Sequence, residues 1–226
     1  MPLALLVHGG PNARDYAGFD PVIQLLVARG IAVLSVNYRG STGFGNRYYN
    51  LGIGNVRGMH EDVEDARRWA ITSGLADPDR IAIVGASWGG YLALGGATKV
   101  AAEAEEEGEE ERARYAAVVA IVAPVAVGAC NTSPAFRSDP LVTQYWKQLY
   151  GPSVSSDQQA AEALSPLHRL DELDPSVKLL LVHGERDPRV PREHGDAVAN
   201  AARARGIAGA HLTYAAEGHA IRREPN

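Results

Sequence analysis

Short apolar runs recur along the chain at residues 3–7, 31–36, 81–84, 117–122 and 177–182, with a last one at 211–215, and helical stretches lie between them. This alternation constrains the fold more than any other feature. A short apolar run without polar alternation reads as a strand buried on both faces, the pattern of a parallel sheet. The helical stretches 19–29, 61–73 and 193–205 are closed by Gly30, Gly74 and Gly206, where a helix C-terminus favours a left-handed residue. Strand and helix in steady succession imply an α/β fold: a mostly parallel, doubly wound sheet covered on both faces. In such sheets ligands bind beyond the carboxyl ends of the strands, so residues that carry chemistry should follow strands directly.

Composition narrows what the site could serve. The chain has 226 residues, 46% of them hydrophobic, enough for one sizeable core. Its formal net charge of -5 and scattered arginines give no basic footprint, so no nucleic-acid partner is expected. No apolar run reaches the roughly 20 residues of a membrane span, and the start has no basic leader, so no membrane partner and a cytoplasmic location are expected. Cys130 is the only cysteine, which excludes an internal disulfide and a thiolate zinc cluster, and no role is assigned to it. No histidine and carboxylate set has ligand spacing such as His-Glu-x-x-His, so neither a metal nor a cofactor is expected.

Two stretches break the rhythm. Residues 103–114 carry Glu103, Glu105, Glu106, Glu107, Glu109, Glu110 and Glu111 before two arginines, and read as a solvated helix extension weakened at Gly108. Residues 128–166 are rich in Ser, Pro and aromatics and read as loops and short helices over the site.

The run Gly85-Ala86-Ser87-Trp88-Gly89-Gly90 follows the strand 81–84 and opens a helical stretch at 91–100, the setting of a nucleophile elbow. A turn sharp enough to lift the serine hydroxyl above the sheet brings backbone close around it, so the flanking positions must lack bulky side chains. A serine needs a histidine to take its proton, and the histidine needs a carboxylate to fix its tautomer. After the strand 177–182 comes His183-Gly184-Glu185-Arg186-Asp187-Pro188-Arg189, and after the last strand comes Glu217-Gly218-His219. The order serine, acid, histidine fits this fold class, with Asp187 or Glu185 as the acid and Glu217 poorly placed so close to the histidine. His219 is the one histidine in a glycine-flanked loop after the final strand; His183, His211, His60, His168 and His194 fit structural settings better. An oxyanion hole completes the requirement. His8-Gly9-Gly10-Pro11 follows the first strand, and backbone N–H groups at Gly10 and Trp88 are the expected donors, with the His8 ring bracing the loop.

Taken together, the chain resembles the catalytic α/β-hydrolase domain of the prolyl oligopeptidase family, especially its acylaminoacyl-peptidase and dipeptidyl-peptidase-like branches. The resemblance rests on His8-Gly9-Gly10-Pro11, Asn37-Tyr38-Arg39-Gly40-Ser41-Thr42-Gly43-Phe44-Gly45, Glu61-Asp62-Val63, Asp79-Arg80-Ile81, the elbow with Gly90-Tyr91, Asp187-Pro188-Arg189-Val190-Pro191 and Glu217-Gly218-His219, in that family's order. It implies a catalytic set of Ser87, Asp187 and His219, with Asp187 preferred over Glu185. It also implies a short peptide as substrate, with Tyr38 or its backbone near the oxyanion and Arg189 near the substrate carbonyls. Ala220 departs from the glycine usual after the histidine. The resemblance further implies a β-propeller before this domain and a final helix after it. The sequence therefore reads as an α/β-hydrolase domain truncated at both ends, whose uncovered edges favour a homo-oligomer and whose His219 loop is anchored on one side only. A serine peptidase is the leading reading, a carboxylesterase or other acyl hydrolase the second, and a non-catalytic binding domain on the same scaffold the third.

Overall fold

The computed structural model describes residues 1–98, 100, 115–127 and 139–222. The acidic run 103–114, Cys130 and the beginning of the stretch 128–166 thus lie outside the described residues. Strands β1 (Leu3–Val7), β2 (Ala32–Val36), β3 (Ile81–Ala86), β4 (Ala117–Ile121), β5 (Lys178–Gly184) and β6 (Gly209–Tyr214) form one sheet in the order β2-β1-β3-β4-β5-β6. Every neighbouring pair is parallel. β3 and β5 run further than their apolar cores, because the pairing continues through Gly85 and Ala86 in one and His183 and Gly184 in the other.

The order contains a reversal that places the site. From β1 the chain moves outward to β2, then returns to the other flank of β1 as β3, so the loops after β1 and β3 diverge and leave a crevice between them. Val7 pairs with Gly85, Gly85 with Ala120, and Ala120 with Leu181, so β1, β3 and β4 end within one residue of the same level, and β5 runs three residues further to Gly184. Their exits therefore share one rim.

Helices α1 (Pro21–Val27), α2 (Asn46–Leu51), α3 (Val56–Thr72), α4 (Trp88–Ala97), α5 (Pro140–Ser156), α6 (Gln158–Ala163) and α7 (Glu193–Ala204) connect the strands or cover the rim. Capping sets their starts. Asp20 accepts hydrogen bonds from the amides of Val22 and Ile23 with Pro21 in the first turn, so α1 begins after residue 19. Asn55 accepts from Gly58 N–H at 3.0 Å and starts α3 at Val56, before residue 61. Gly30, Gly74 and Gly206, just past their helices, have φ of 74°, 75° and 70°. The stretch 128–166 is more helical than its composition suggests: α5 and α6 occupy most of the described part, with a break in α5 at Gly151.

The core lies on the inner strands and α4, which packs against β1, β3, β4 and α3. α4 is apolar all round and buried from Trp88 to Gly96. A helix carrying four glycines has weak intrinsic propensity, so its stability comes from that burial. Gly95 shows the trade: a Cβ there would sit 2.1 Å from Cε1 of His60, which projects from α3 against Tyr91.

His60 is 1% exposed, and neither ring nitrogen has a hydrogen-bond partner among the described residues. Burial, with a smaller push from Arg57, lowers its pKa from 6.5 to about 3. A histidine depressed on folding contributes stability above its unfolded pKa and loses it as pH falls through the window between 6.5 and about 3. We expect acidification from pH 7 to pH 4 to cost the wild type about 3 kcal/mol more than His60→Leu in urea unfolding, from this group alone. Parallel stability curves for the two proteins would remove His60 as a source of acid sensitivity.

Candidate active site

Ser87 follows β3 directly and has φ 55° and ψ -119°, a conformation that non-glycine residues rarely adopt. Such a residue costs on the order of 1–3 kcal/mol and persists only where its surroundings force it. Here the forcing contacts are backbone. A Cβ on Gly85 would lie 2.2 Å from the Gly89 carbonyl oxygen, and one on Gly89 would lie 2.0 Å from the Val7 carbonyl oxygen. The Ser87 amide donates to Ile121 O at 2.7 Å, tying the turn to the end of β4. Ser87 occupies the N-cap position of α4, yet its side chain makes no capping bond. Its hydroxyl is instead directed at His219.

His219 Nε2 lies 2.9 Å from Ser87 Oγ, and its Nδ1 lies 2.7 Å from Asp187 Oδ2. The carboxylate can only accept, so Nδ1 carries the proton and Nε2 is left to accept from the serine. Asp187 Oδ1 accepts from the amides of Arg189 at 2.8 Å and Val190 at 3.0 Å. Burial pushes the Asp187 carboxyl up, but the hydrogen bonds from His219, Val190 and Arg189 outweigh it and hold the group below the usual carboxylate value.

The His219 loop has more anchorage than the sequence suggests. Arg186 N–H donates to Glu217 O at 2.9 Å, and Glu185 and Glu217 N–H both reach Tyr214 O, at 3.0 and 3.1 Å. Gly184 makes this contact feasible, since a Cβ there would stand 2.2 Å from Gly218 O. The acid and histidine loops are thus joined backbone to backbone.

Of the rival acids, Glu185 is exposed and pairs with Arg192 at 3.1 Å, and the Glu217 main chain braces the histidine loop. The rival histidines serve elsewhere. His183 is buried with Nε2 2.8 Å from Val190 O, His194 Nδ1 accepts from Val125 N–H, His211 lies 3.5 Å from Asp196, and His168 sits exposed in a short 3-10 segment.

Beyond β1, the loop that contains Gly10 lies against the elbow, because a Cβ on Gly9 would approach Ala86 O to 2.9 Å. Gly10 and Trp88 both line a cleft of about 230 Å³ that also contains Ser87, His219 and Arg189. Trp88 is the first residue of α4, whose leading amides have no partner within the helix, which leaves a donor directed outward.

Tyr38 requires a correction. It is 0% exposed and does not line the cleft; its hydroxyl donates to His8 O at 3.0 Å, and its ring stacks on His8 at 4.4 Å. It therefore supports the Gly10 loop from beneath, where its size and aromatic face fill the space under His8. His8 Nε2 lies 2.8 Å from Ser41 Oγ, so that ring also braces the loop.

What the sequence did not single out is the far wall. Tyr145 and Trp146 of α5, with Val142, line the cleft opposite the elbow, and Trp146 and Tyr150 pack near Trp88 with centroids 5.7 and 6.2 Å away. The spacing of Val142, Trp146, Leu149 and Tyr150 is helical and marks one apolar face, a signal present in the sequence but masked by the surrounding Ser and Pro.

A parallel sheet with a strained serine after one strand, an acid after another and a histidine after the last defines an α/β-hydrolase. The particular family follows from comparison: the prolyl oligopeptidase family model matches residues 17–226, and the chain belongs to that family. It is 37% identical over 228 residues to dipeptidyl aminopeptidase BIII of Pseudoxanthomonas mexicana, covering 100% of this chain and 31% of the relative. It is 28% identical over 230 residues to the acylamino-acid-releasing enzyme of Arabidopsis thaliana, covering 98% of this chain and 28% of the relative. Among solved structures, a puromycin-hydrolyzing peptidase of Mycobacterium tuberculosis superposes with a TM-score of 0.83 at 28% identity, covering 97% of this chain and 31% of that one. The chain thus spans about a third of the length of the relatives it matches.

Two outcomes follow from the geometry. Gly89→Ala should cost at least about 3 kcal/mol in denaturant unfolding, because the clash is with main chain that cannot rotate away. Asp187→Asn should leave the melting temperature nearly unchanged but lower turnover of an activated acyl substrate by about 10⁴-fold, since an amide at Oδ2 no longer dictates the Nδ1–H tautomer. A loss under about tenfold would show that another group orients His219.

Proposed function

We propose that this chain hydrolyses short peptides through an acyl-enzyme on Ser87. The observation that carries the reading is the unbroken line Asp187, His219, Ser87, with its serine end opening into the cleft. His219 Nε2 takes the hydroxyl proton as Ser87 Oγ bonds to the scissile carbonyl carbon. The carbonyl oxygen becomes an oxyanion that the Gly10 and Trp88 amides stabilise. His219 returns the proton to the leaving amine as the C–N bond breaks, and water then repeats the sequence to release the acid.

Two features favour peptides over simple esters. The relatives are named for dipeptidyl aminopeptidase, acylamino-acid-releasing and puromycin-hydrolyzing activity. The exposed Arg189 guanidinium at the cleft also offers donors to the carbonyls of an extended chain, which a short ester lacks. The walls from Trp88, Pro124, Val142, Trp146 and Val190 are apolar, so the side chain before the scissile bond should be apolar too.

With the 226-residue chain, aminoacyl, dipeptidyl and N-acylated anilides bearing Ala, Leu, Phe, Lys or Asp before the cleaved bond should rank with Leu and Phe first. Ser87→Ala should abolish both this turnover and fluorophosphonate labelling. Retention of more than about a tenth of the activity would contradict the serine mechanism, and activity confined to short-chain esters would favour the acyl-hydrolase reading.

A further inference from the structure

Tyr145 stands on α5, lines the cleft, and donates its hydroxyl to Asn12 Oδ1 at 2.5 Å. At its other end Asn12 donates from Nδ2 to the Gly40 carbonyl at 2.7 Å. A carbonyl can only accept, so the Asn12 amide has one orientation, and its Oδ1 requires a donor on the Tyr145 side. Burial, with a smaller effect of Tyr49, raises the phenol above its ordinary value, so that donor keeps its proton at any pH where a histidine base works.

The two bodies joined by this bond are not equally well held. The loop after β1 is fixed from the sheet side by Tyr38 on His8 O, by His8 on Ser41, by Thr42 N–H on Ala13 O and by Asp15 N–H on Asn37. α5 is held from Trp146 onward, where Trp146 and Tyr150 pack on Trp88 and Leu149 O accepts from Gly54 N–H at 2.9 Å. Ahead of Trp146 the helix carries the Val142 and Tyr145 part of the cleft wall, which is only partly buried, and there Leu141 is 75% exposed. The bond therefore takes its reference from the loop and positions the helix.

We infer that Tyr145 is a specificity-determining residue, which ties the α5 wall to the Gly10 loop through Asn12 and so fixes the width of the pocket for the acyl side chain. The inference rests on the peptidase reading above. A wall held in place presents its apolar surface without an ordering cost at binding, and a large apolar side chain gains more from that than a small one. The substitution Tyr145→Phe keeps the ring on the wall and removes only the tie.

The test compares the wild type with Tyr145→Phe, Asn12→Ala and the double variant, using leucyl and alanyl members of whichever anilide class is turned over. Each single variant should lower the leucyl-to-alanyl ratio of kcat/KM by about fivefold, and the double variant should go no lower than the worse single one. A ratio unchanged in Tyr145→Phe, or effects that multiply in the double variant, overturns the inference while leaving the peptidase reading intact. If the wild type hydrolyses no anilide, the peptidase reading fails by itself, and amide hydrogen exchange decides about the tie. Residues 140–149 should then exchange faster in Tyr145→Phe than in the wild type, with residues 183–190 unaffected, and equal exchange over 140–149 overturns the inference.

Discussion

The contact on which this structure depends is the approach of the first turn of α4 to the end of β1. Gly89 and the Val7 carbonyl leave no room for a Cβ between them, and Gly85 stands equally close to Gly89. That proximity forces the chain to turn within one residue, and Ser87 absorbs the turn by adopting φ 55°. The cost of the strained serine and of four glycines in one helix is offset by the burial of α4. At roughly 1.5–3 kcal/mol for each large apolar side chain removed from water, Trp88, Tyr91, Leu92 and Leu94 supply more than the turn requires. The residues that weaken α4 as a helix are the ones that let it lie so close to the sheet.

The same rim carries a second strained residue, Val122, with φ 46° just after β4. Its amide donates to Val182 O at 2.8 Å, while the Ser87 amide donates to Ile121 O. Each strand exit is thus bonded to the next one along the sheet, from the elbow to β5. From β5 the chain of contacts passes to the last loop through Gly184 and the main chain of Glu217. The hydroxyl, ring and carboxylate are therefore placed by main-chain bonds across neighbouring strands and not by side-chain packing alone. This is the kind of support that holds reacting groups to within a fraction of an ångström, where a displacement near 1 Å can cost about 100-fold in rate.

How much of this could be read from the sequence follows a physical division. The inner strands were legible because a parallel sheet buried on both faces imposes continuous apolar runs, and the ends Gly85-Ala86 and His183-Gly184 lacked that mark; the edge strand β6, largely exposed, starts at Gly209, ahead of the apolar run read at 211–215. Ser87 and His219 could be singled out because each follows a strand end, whereas the choice of Asp187 over Glu185 came from the family resemblance. The start of α4 was obscured by Gly89 and Gly90, which propensity reads as loop and which tertiary contact turns into helix. Tyr38 was misplaced for a related reason: a motif gives the order of residues but not which side of a loop a side chain lies on, and the stacking with His8 exists only once β1 and β2 are side by side. The Tyr145 to Asn12 bond joins positions 133 residues apart and has no signature in either neighbourhood.

Charge placement explains how such a site remains poised. Asp187 is wholly buried at its side chain, an environment that by itself would neutralise a carboxylate. Three N–H donors converge on it, from the His219 ring and from the Arg189 and Val190 amides. The two amides belong to the turn that Pro188 begins, so the same four residues present the carboxylate and solvate it. Val190 is fixed in turn by its carbonyl, which lies 2.8 Å from His183 Nε2. A carbonyl cannot donate, so that histidine holds its proton on Nε2 and serves as a donor rather than a base. One histidine of the β5 exit therefore holds the turn that keeps the acid ionised, and the ionised acid holds the second histidine in the tautomer that leaves Nε2 free for Ser87. Two rings of the same type are assigned opposite roles by what faces them: a peptide carbonyl in one case and a carboxylate in the other.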